Sequence, residues 1–361
     1  MLTNNNKTLF IVDQVQFGYH TGNYYICKYL RDSYSIIYIC KEHGLSKIEM
    51  NGVRSVYVSR KGNSLVRSIR FFGKALQEIR KHSNCIIFIK YLKGISLALR
   101  LSNPSHLVVL DVRSASVSQK RIRRWLYDSR LKFETKFFKN ITVISQGLAD
   151  KLNMGQKAHI LPLGADVISS TNKNFDQVHL LYVGTLVNRN IDVTIHGFKR
   201  VYDELVGRIP LSYSIIGTGS NDEESSLREL VDKLGLKSVV LVIGRIPHTE
   251  IAQWFDNTNI GVSYIPLTDY FDVQPPLKTF EYLLSGMPVI ATHTSENRKV
   301  ISEKNGVLVG ESVNDFYLGI KKILQNRASF DSEAIRNGAK PYMWKAIVTN
   351  NLKPYLQRIC E

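Results

Sequence analysis

Residues 275–292 read PPLKTFEYLLSGMPVIAT. Pro275 and Pro276 stand where a helix begins, because the N–H that proline lacks is unbonded in a first turn anyway. Gly286 suits the residue that closes the helix, and Pro288 stops it from continuing. The run that follows Pro288 is short and continuously apolar, the form of a strand covered on both faces. A helix start carries free N–H groups and a partial positive charge, which suits an anion such as a diphosphate. Lys278 adds a full charge in that first turn, and Glu281, three residues on, shares its face. A carboxylate accepts through two oxygens and can hold both hydroxyls of a ribose. By itself the run also fits an amphipathic helix with a surface Lys–Glu pair.

Outward from this helix–strand pair the same alternation repeats in both directions, which predicts a parallel α/β architecture. Toward the N-terminus of the chain, strands are expected at 8–12, 35–40, 55–58, 85–89, 107–110 and 141–145. Helices are expected at 23–31 and from about 147. A second series places strands at 180–183, 212–216, 239–243, 260–264, 288–292 and 306–309. Its helices end near 205 and span 223–234, 249–256, 277–285 and 312–325. The Ser/Thr/Asn-rich stretch at 169–174 reads as a linker between two domains, and 341–360 as a terminal helix that Pro354 kinks or interrupts.

A chain of 361 residues is too long for one core and suits two domains. Hydrophobic residues at 44% and charged residues at 22% exclude a disordered chain. The net charge of +17 is unevenly spread. Residues 1–165 hold 27 Lys+Arg and 9 Asp+Glu, whereas the remainder holds 21 and 22. Such asymmetry directs one domain toward a polyanion. Cys27, Cys40, Cys85 and Cys360 form no CxxC pair and no metal-ligand spacing, and free thiols fit a reducing cytosol. The first residues read as no signal peptide, and no apolar run reaches membrane-spanning length.

Five pieces occur in order: YVGTLVNRNID (182–192), SIIGTGS (214–220), VIGRIPHTEI (242–251), the helix–strand run above, and NGVLV (305–309). Together they resemble the donor-binding domain of retaining glycosyltransferases of family 4 (glycosyl transferases group 1), of the bacterial surface-polysaccharide type. The resemblance implies the GT-B fold: two Rossmann-like domains with parallel sheets facing across a cleft that closes by hinge motion. It implies residues 1–165 as acceptor domain, with a C-terminal helix at about 343–361 packing back on it, and 166–342 as donor domain. Gly184 and Thr185 would let the backbone approach the diphosphate, since glycine carries no Cβ. Arg189 and Lys278 would clamp it and stabilise the charge that grows on the leaving nucleotide. Two fixed cations replace a divalent metal, so no metal or other cofactor is expected. Gly217 and Gly219 would floor the nucleoside, Arg245 and Ile246 would lie near the base, and Glu281 would hold the ribose. Read without the family, Gly217–Gly219 is also a bare G-x-G and Arg189 a solvated loop charge.

The family commonly carries a further glutamate eight residues before the position of Glu281. Here that position is Val273. Contact with the transferred sugar therefore falls to backbone N–H groups near Val273–Pro276 or to Asp272. FGYHTGNYYICKYL (17–30) resembles the family's first glycine loop, with Gly18, His20, Thr21 and Gly22 on the acceptor side. LVVLDVRS (107–114) sets Asp111 and Arg113 at the end of a strand that faces the site. Asp111 fits a group that binds the acceptor hydroxyl or takes its proton, and equally an ion-paired aspartate.

Residues 64–81 and 120–139 are basic helices. Leu65, Ile69, Phe72, Leu76 and Ile79 form one apolar stripe, and Ile122, Trp125, Phe133 and Phe137 another. Such stripes are expected to be core, with the Lys/Arg of the polar faces held on an anionic membrane surface. The expected protein is cytoplasmic and peripheral to the inner face of the membrane. It moves a sugar from a UDP- or GDP-sugar to a glycan or lipid-linked acceptor and binds no nucleic acid. A sugar-nucleotide epimerase or a non-catalytic binder on the same fold is the alternative.

Overall fold

The computed structural model describes residues 7–219, 221–247 and 250–361. The chain divides into two compact units, Met1–Leu163 with Trp344–Glu361, and Gly164–Met343. The first unit runs β1 (Thr8–Val12), α1 (Thr21–Leu30), β2 (Ser35–Lys41), β3 (Val53–Val58), α2 (Ser64–Ile79), β4 (Cys85–Lys90), α3 (Ile95–Ser102), β5 (Leu107–Val112), α4 (Arg121–Thr135), β6 (Asn140–Val143), α5 (Gln146–Lys151) and β7 (Ala158–Ile160). Its sheet has the order β3-β2-β1-β4-β5-β6-β7, parallel throughout. The sequence reading lacks α3 and β7, both too short to show a period.

The second unit runs β8 (Val178–Thr185), α6 (Ile191–Leu205), β9 (Leu211–Thr218), α7 (Asn221–Lys233), β10 (Val240–Gly244), α8 (Ile251–Asn257), β11 (Ile260–Ser263), α9 (Leu277–Leu284), β12 (Val289–Thr292), α10 (Ser295–Arg298), β13 (Gly306–Val309), α11 (Val313–Asn326) and α12 (Ser332–Ala339). Its parallel sheet has the order β10-β9-β8-β11-β12-β13. The expected helix start at Thr249 lies outside the described residues. Both sheets are Rossmann-like, and in each the strand order reverses once, between β1 and β4 and between β8 and β11. Ligands of open α/β sheets bind beyond the strand ends at such a reversal.

The chain closes in the first unit with α13 (Trp344–Ile347), a π-helical turn at Val348–Leu352, and α14 (Lys353–Arg358). The expected single helix is thus interrupted. Pro354 in the first turn of α14 cannot donate to the carbonyl four residues back, and the wider turn absorbs the defect. Trp344, Ile347, Val348, Leu352 and Leu356 complete a core with Leu9, Ile26, Cys27 and Leu30.

Two further readings are corrected. The polar stretch at 169–174 is packed within the second unit: Ser169 is buried, and its hydroxyl and that of Thr171 donate to Asp256 at 2.6 and 3.0 Å. The apolar stripes of α2 and α4 are largely not core. Leu65 and Ile69 are exposed, Ile79 alone of its stripe is buried, and Ile122, Trp125 and Phe133 are 73%, 65% and 55% exposed. α4 docks through its opposite side. There Leu131 is buried, Glu134 accepts from Gly94 N at 3.0 Å and pairs with Arg130 at 2.7 Å, and Asp128 accepts from Ser116 N. Hydrogen bonds hold the helix by a face that hydropathy marks as polar.

Candidate functional site

In the second unit the strand reversal lies at the end of β8, and α9 is aimed at it. Gly261 of β11 leaves room for the Tyr282 ring, since a Cβ there would stand 2.3 Å from it. The Tyr282 hydroxyl accepts from Val183 N at 2.8 Å, which ties α9 to β8. A buried chain fixes the start of the helix: Ser263 and Thr279 hydroxyls lie 2.7 Å apart, Thr279 donates to Asn297, and Asn297 donates to the Thr292 carbonyl. Pro276 stands at the N-cap with no side-chain cap; Thr279 N bonds back to the Pro276 carbonyl at 3.2 Å, which leaves the N–H groups of Leu277 and Lys278 at the open start of the helix.

Lys278 projects from that turn with its Nζ buried, without a hydrogen-bond partner, 3.6 Å from the centroid of the Tyr182 ring. Burial and the nearby Arg189 push its pKa well below the usual lysine range. A Cβ on Gly184, whose φ is +149°, would lie 2.9 Å from this ammonium. Arg189 stacks 4.1 Å over the Phe271 ring. It rides on a sharp turn made by Asn188 and Asn190 at φ +57° and +51°, a conformation that asparagine tolerates better than most residues. The site thus holds two cations, an open helix start and a glycine strand end, an anion cradle in its chemistry.

Glu281 makes no hydrogen bond or ion pair among the described residues, and burial pushes its carboxyl up to about 7 against the pull of Lys278. Its ordinary value is 4.5, so the folded state keeps a proton that the unfolded chain loses. Stability contributed by the protonated form is therefore lost as pH rises from 4.5 through about 7. Glu281→Gln removes this penalty. Thermal melts are expected to match the parent at about pH 4 and to lie about 3 °C higher at pH 8; a variant that melts lower at pH 8 contradicts the assignment.

The other sequence candidates are placed as follows. Gly217 pairs with Gly184 across β8 and β9, and a Cβ on it would stand 2.0 Å from the Gly184 carbonyl oxygen. Its smallness serves the approach of two strands. Gly219 sits against Glu223, Arg245 is exposed just after β10, and Ile246 is half-buried beside it. Thr185 ends β8 with its carbonyl accepting from the Tyr182 hydroxyl at 2.6 Å. Asp272 is corrected as a free sugar contact: its carboxylate accepts from Ser295 N and Oγ at 2.8 and 2.5 Å, holding the start of α10.

In the first unit the reversal gathers residues that the sequence reading missed. Asp13, buried after β1, accepts from Asn23 Nδ2 at 2.8 Å and lies 3.3 Å from His20 Nδ1. Lys90 at the end of β4 reaches His20 Nε2 at 2.9 Å. His20 also caps α1, its Nδ1 accepting from Asn23 N at 3.3 Å, so the ring is held between Asp13, Lys90 and the start of that helix. Burial holds His20 below its usual range in spite of Asp13. Strand order could have found this cluster; spacing could not.

Asp111 is fully buried, with Arg113 at 2.8 Å on one oxygen and the Thr142 hydroxyl at 2.7 Å on the other. The ion-paired reading holds, and no face is left for an acceptor. Arg113 pairs with Asp111 through Nε and donates Nη1 to the carbonyl of Leu161 at 2.9 Å, while its buried Nη2 has no partner among the described residues. Thr21 and Gly22 belong to α1, not to a loop, and Gly22 lies under the Trp344 ring, 3.1 Å from where its Cβ would be. Gly18, at φ +89°, packs on Ile48. Of the expected acceptor-side set, His20 alone presents a functional group inside the cluster.

Residues 177–326 match the family model of the glycosyl transferases group 1. The chain is similar in structure to sucrose-phosphate synthase from Thermosynechococcus elongatus (TM-score 0.73, 16% identity, 98% of this chain and 99% of that one). It is similar to a glycosyltransferase from Rickettsia africae (0.72, 14%, 98% and 99%). It is also similar to Anabaena HepE in complex with UDP and glucose (0.74, 11%, 97% and 99%). Among curated protein sequences nothing matches significantly. Two parallel Rossmann-like units with these neighbours make the fold GT-B.

Proposed function

We propose, for a chain that is a glycosyltransferase of GT-B fold, that it moves a sugar from a UDP- or GDP-sugar to a glycan or lipid-linked acceptor in bacterial surface-polysaccharide synthesis. The reaction proceeds with retention and without metal. The observation that carries the donor part is the buried, unpartnered Lys278 ammonium at an open helix start. A buried charge without a partner is costly, and a diphosphate is the kind of group that would complete it. That Anabaena HepE binds UDP and UDP-glucose supports the same reading.

In the proposed reaction the bond between the anomeric carbon and the β-phosphate oxygen breaks. The acceptor oxygen bonds that carbon from the same face, and its proton passes to the departing phosphate. Lys278 and Arg189 stabilise the charge left on the nucleotide, while Glu281 holds the ribose. Asp111 being closed off, His20, oriented by Asp13 and Lys90, is the group assigned to the acceptor hydroxyl.

The test is a thermal-shift panel of UDP-, GDP-, ADP- and dTDP-sugars, because stabilisation follows affinity. A UDP- or GDP-sugar is expected to raise the melting temperature of the parent and to raise that of Glu281→Gln less. If no nucleotide sugar moves the parent, the donor assignment fails. Release of nucleotide that depends on added acceptor, undiminished by EDTA, is the expected activity; release without acceptor would point to hydrolysis instead.

A further inference from the structure

We infer that the first unit binds an anionic phospholipid bilayer through the outer face of α4, with the start of α2 beside it, and that Trp125, Leu126 and Phe133 enter the interface. This deepens the membrane-proximal acceptor in the proposal above and names the surface involved. Right-handed crossovers put α2, α3 and α4 on one side of the sheet, opposite the core of α1 and the C-terminal segment.

At 3.6 residues per turn, Ile122, Trp125, Leu126 and Phe133 of α4 fall on one line, and all four are exposed. The same spacing sets Arg121 and Lys132 along one flank of that line and Arg123 and Arg130 along the other. An apolar stripe between two basic rows is the pattern of a helix that lies in a membrane interface, where tryptophan is favoured. Beside Phe133 opens a cavity of about 350 Å³ lined by Lys132, Lys136, Lys157, Phe133 and Met154, with room for an anionic headgroup against an apolar wall. Leu65, Val66 and Ile69 of α2 add a second exposed apolar group on the same side.

Charge decides the occupant. A second copy docked by two-fold symmetry would bring like-charged rows together, and the aliphatic Ile122 and Leu126 beside Trp125 give a nucleic acid no run of rings on which successive bases stack. An anionic bilayer satisfies both the rows and the stripe.

The experiment is co-sedimentation of the full chain with phosphatidylcholine vesicles, with and without phosphatidylglycerol, and sizing by light scattering. Expected is binding to the anionic vesicles only, weakened by salt. The double variant Trp125→Ser/Phe133→Ser is expected to weaken binding by about tenfold or more, and so is Lys132→Gln/Lys136→Gln/Lys157→Gln. These side chains are outside the core, and an unchanged nucleotide-sugar shift in each variant shows that the fold and donor site persist. Equal binding to neutral vesicles, no binding, or undiminished binding by the double variant would overturn the inference. A dimer that the double variant abolishes would also overturn it and give the face to a second copy. A parent that binds vesicles but no nucleotide sugar loses the donor reading and keeps this one.

Discussion

Lys278→Met is expected to raise the melting temperature of the free protein and to slow sugar transfer by about 10²–10³. The two effects share one cause. The Lys278 ammonium is buried over the Tyr182 ring and has no hydrogen-bond partner, and leaving such a group unsatisfied costs about 1–3 kcal/mol. Methionine keeps most of the side-chain length and packs on the same ring while removing the charge. In the proposed reaction transfer suffers because the charge is wanted only when a nucleotide diphosphate is leaving. Acceptor-dependent nucleotide release and a melting curve on the same sample check both halves. A variant that melts lower and transfers at the parental rate would remove Lys278 from the chemistry.

Gly217→Ala is expected to destabilise the second unit by about 3 kcal/mol or more, on the order of 10 °C. Its new methyl would meet the Gly184 carbonyl oxygen at 2.0 Å. That neighbour is backbone, held in the β8–β9 ladder, so no rotamer change relieves the clash. The strands must separate, and the end of β8 that faces Lys278 moves with them. Calorimetry that gives Gly217→Ala the parental melting temperature would show that the ladder yields freely. Gly219→Ala makes the comparison: its new methyl would lie 3.1 Å from Glu223 Cβ and 3.3 Å from Leu186 Cβ rather than 2.0 Å from backbone oxygen, and its effect is expected to be smaller.

The fold and the local geometry around Lys278 were legible for a local reason. Pro276, Lys278, Glu281 and Gly286 lie in one run, and helix starts, helix ends and shared faces are properties of neighbours in sequence. In the Asp13–His20–Lys90 cluster, Lys90 lies 70 residues from His20 and is joined to the other two only by the order in which strands pair. No single window contains that order. Asp111 misled because a strand end says where a carboxylate is but not that Arg113, two residues on, turns back to neutralise it. The stripes on α2 and α4 misled differently. Periodicity finds an apolar face of a helix, but which face docks is set by bonds such as Glu134 to Gly94 N, which hydropathy does not register.

The first unit is assembled from two stretches separated by the whole second unit, with Trp344, Val348 and Leu356 packed among Leu9, Ile26 and Leu30. During synthesis the part made first therefore waits longest. Residues up to Leu163 leave the ribosome with the α1 side uncovered, while the second unit, continuous from Gly164 to Met343, has its whole sequence in hand earlier. Closure of the first unit thus waits on residues 344–361, and release of the chain before them leaves a finished second unit attached to a first one whose core lies open to whatever chaperone or protease meets it.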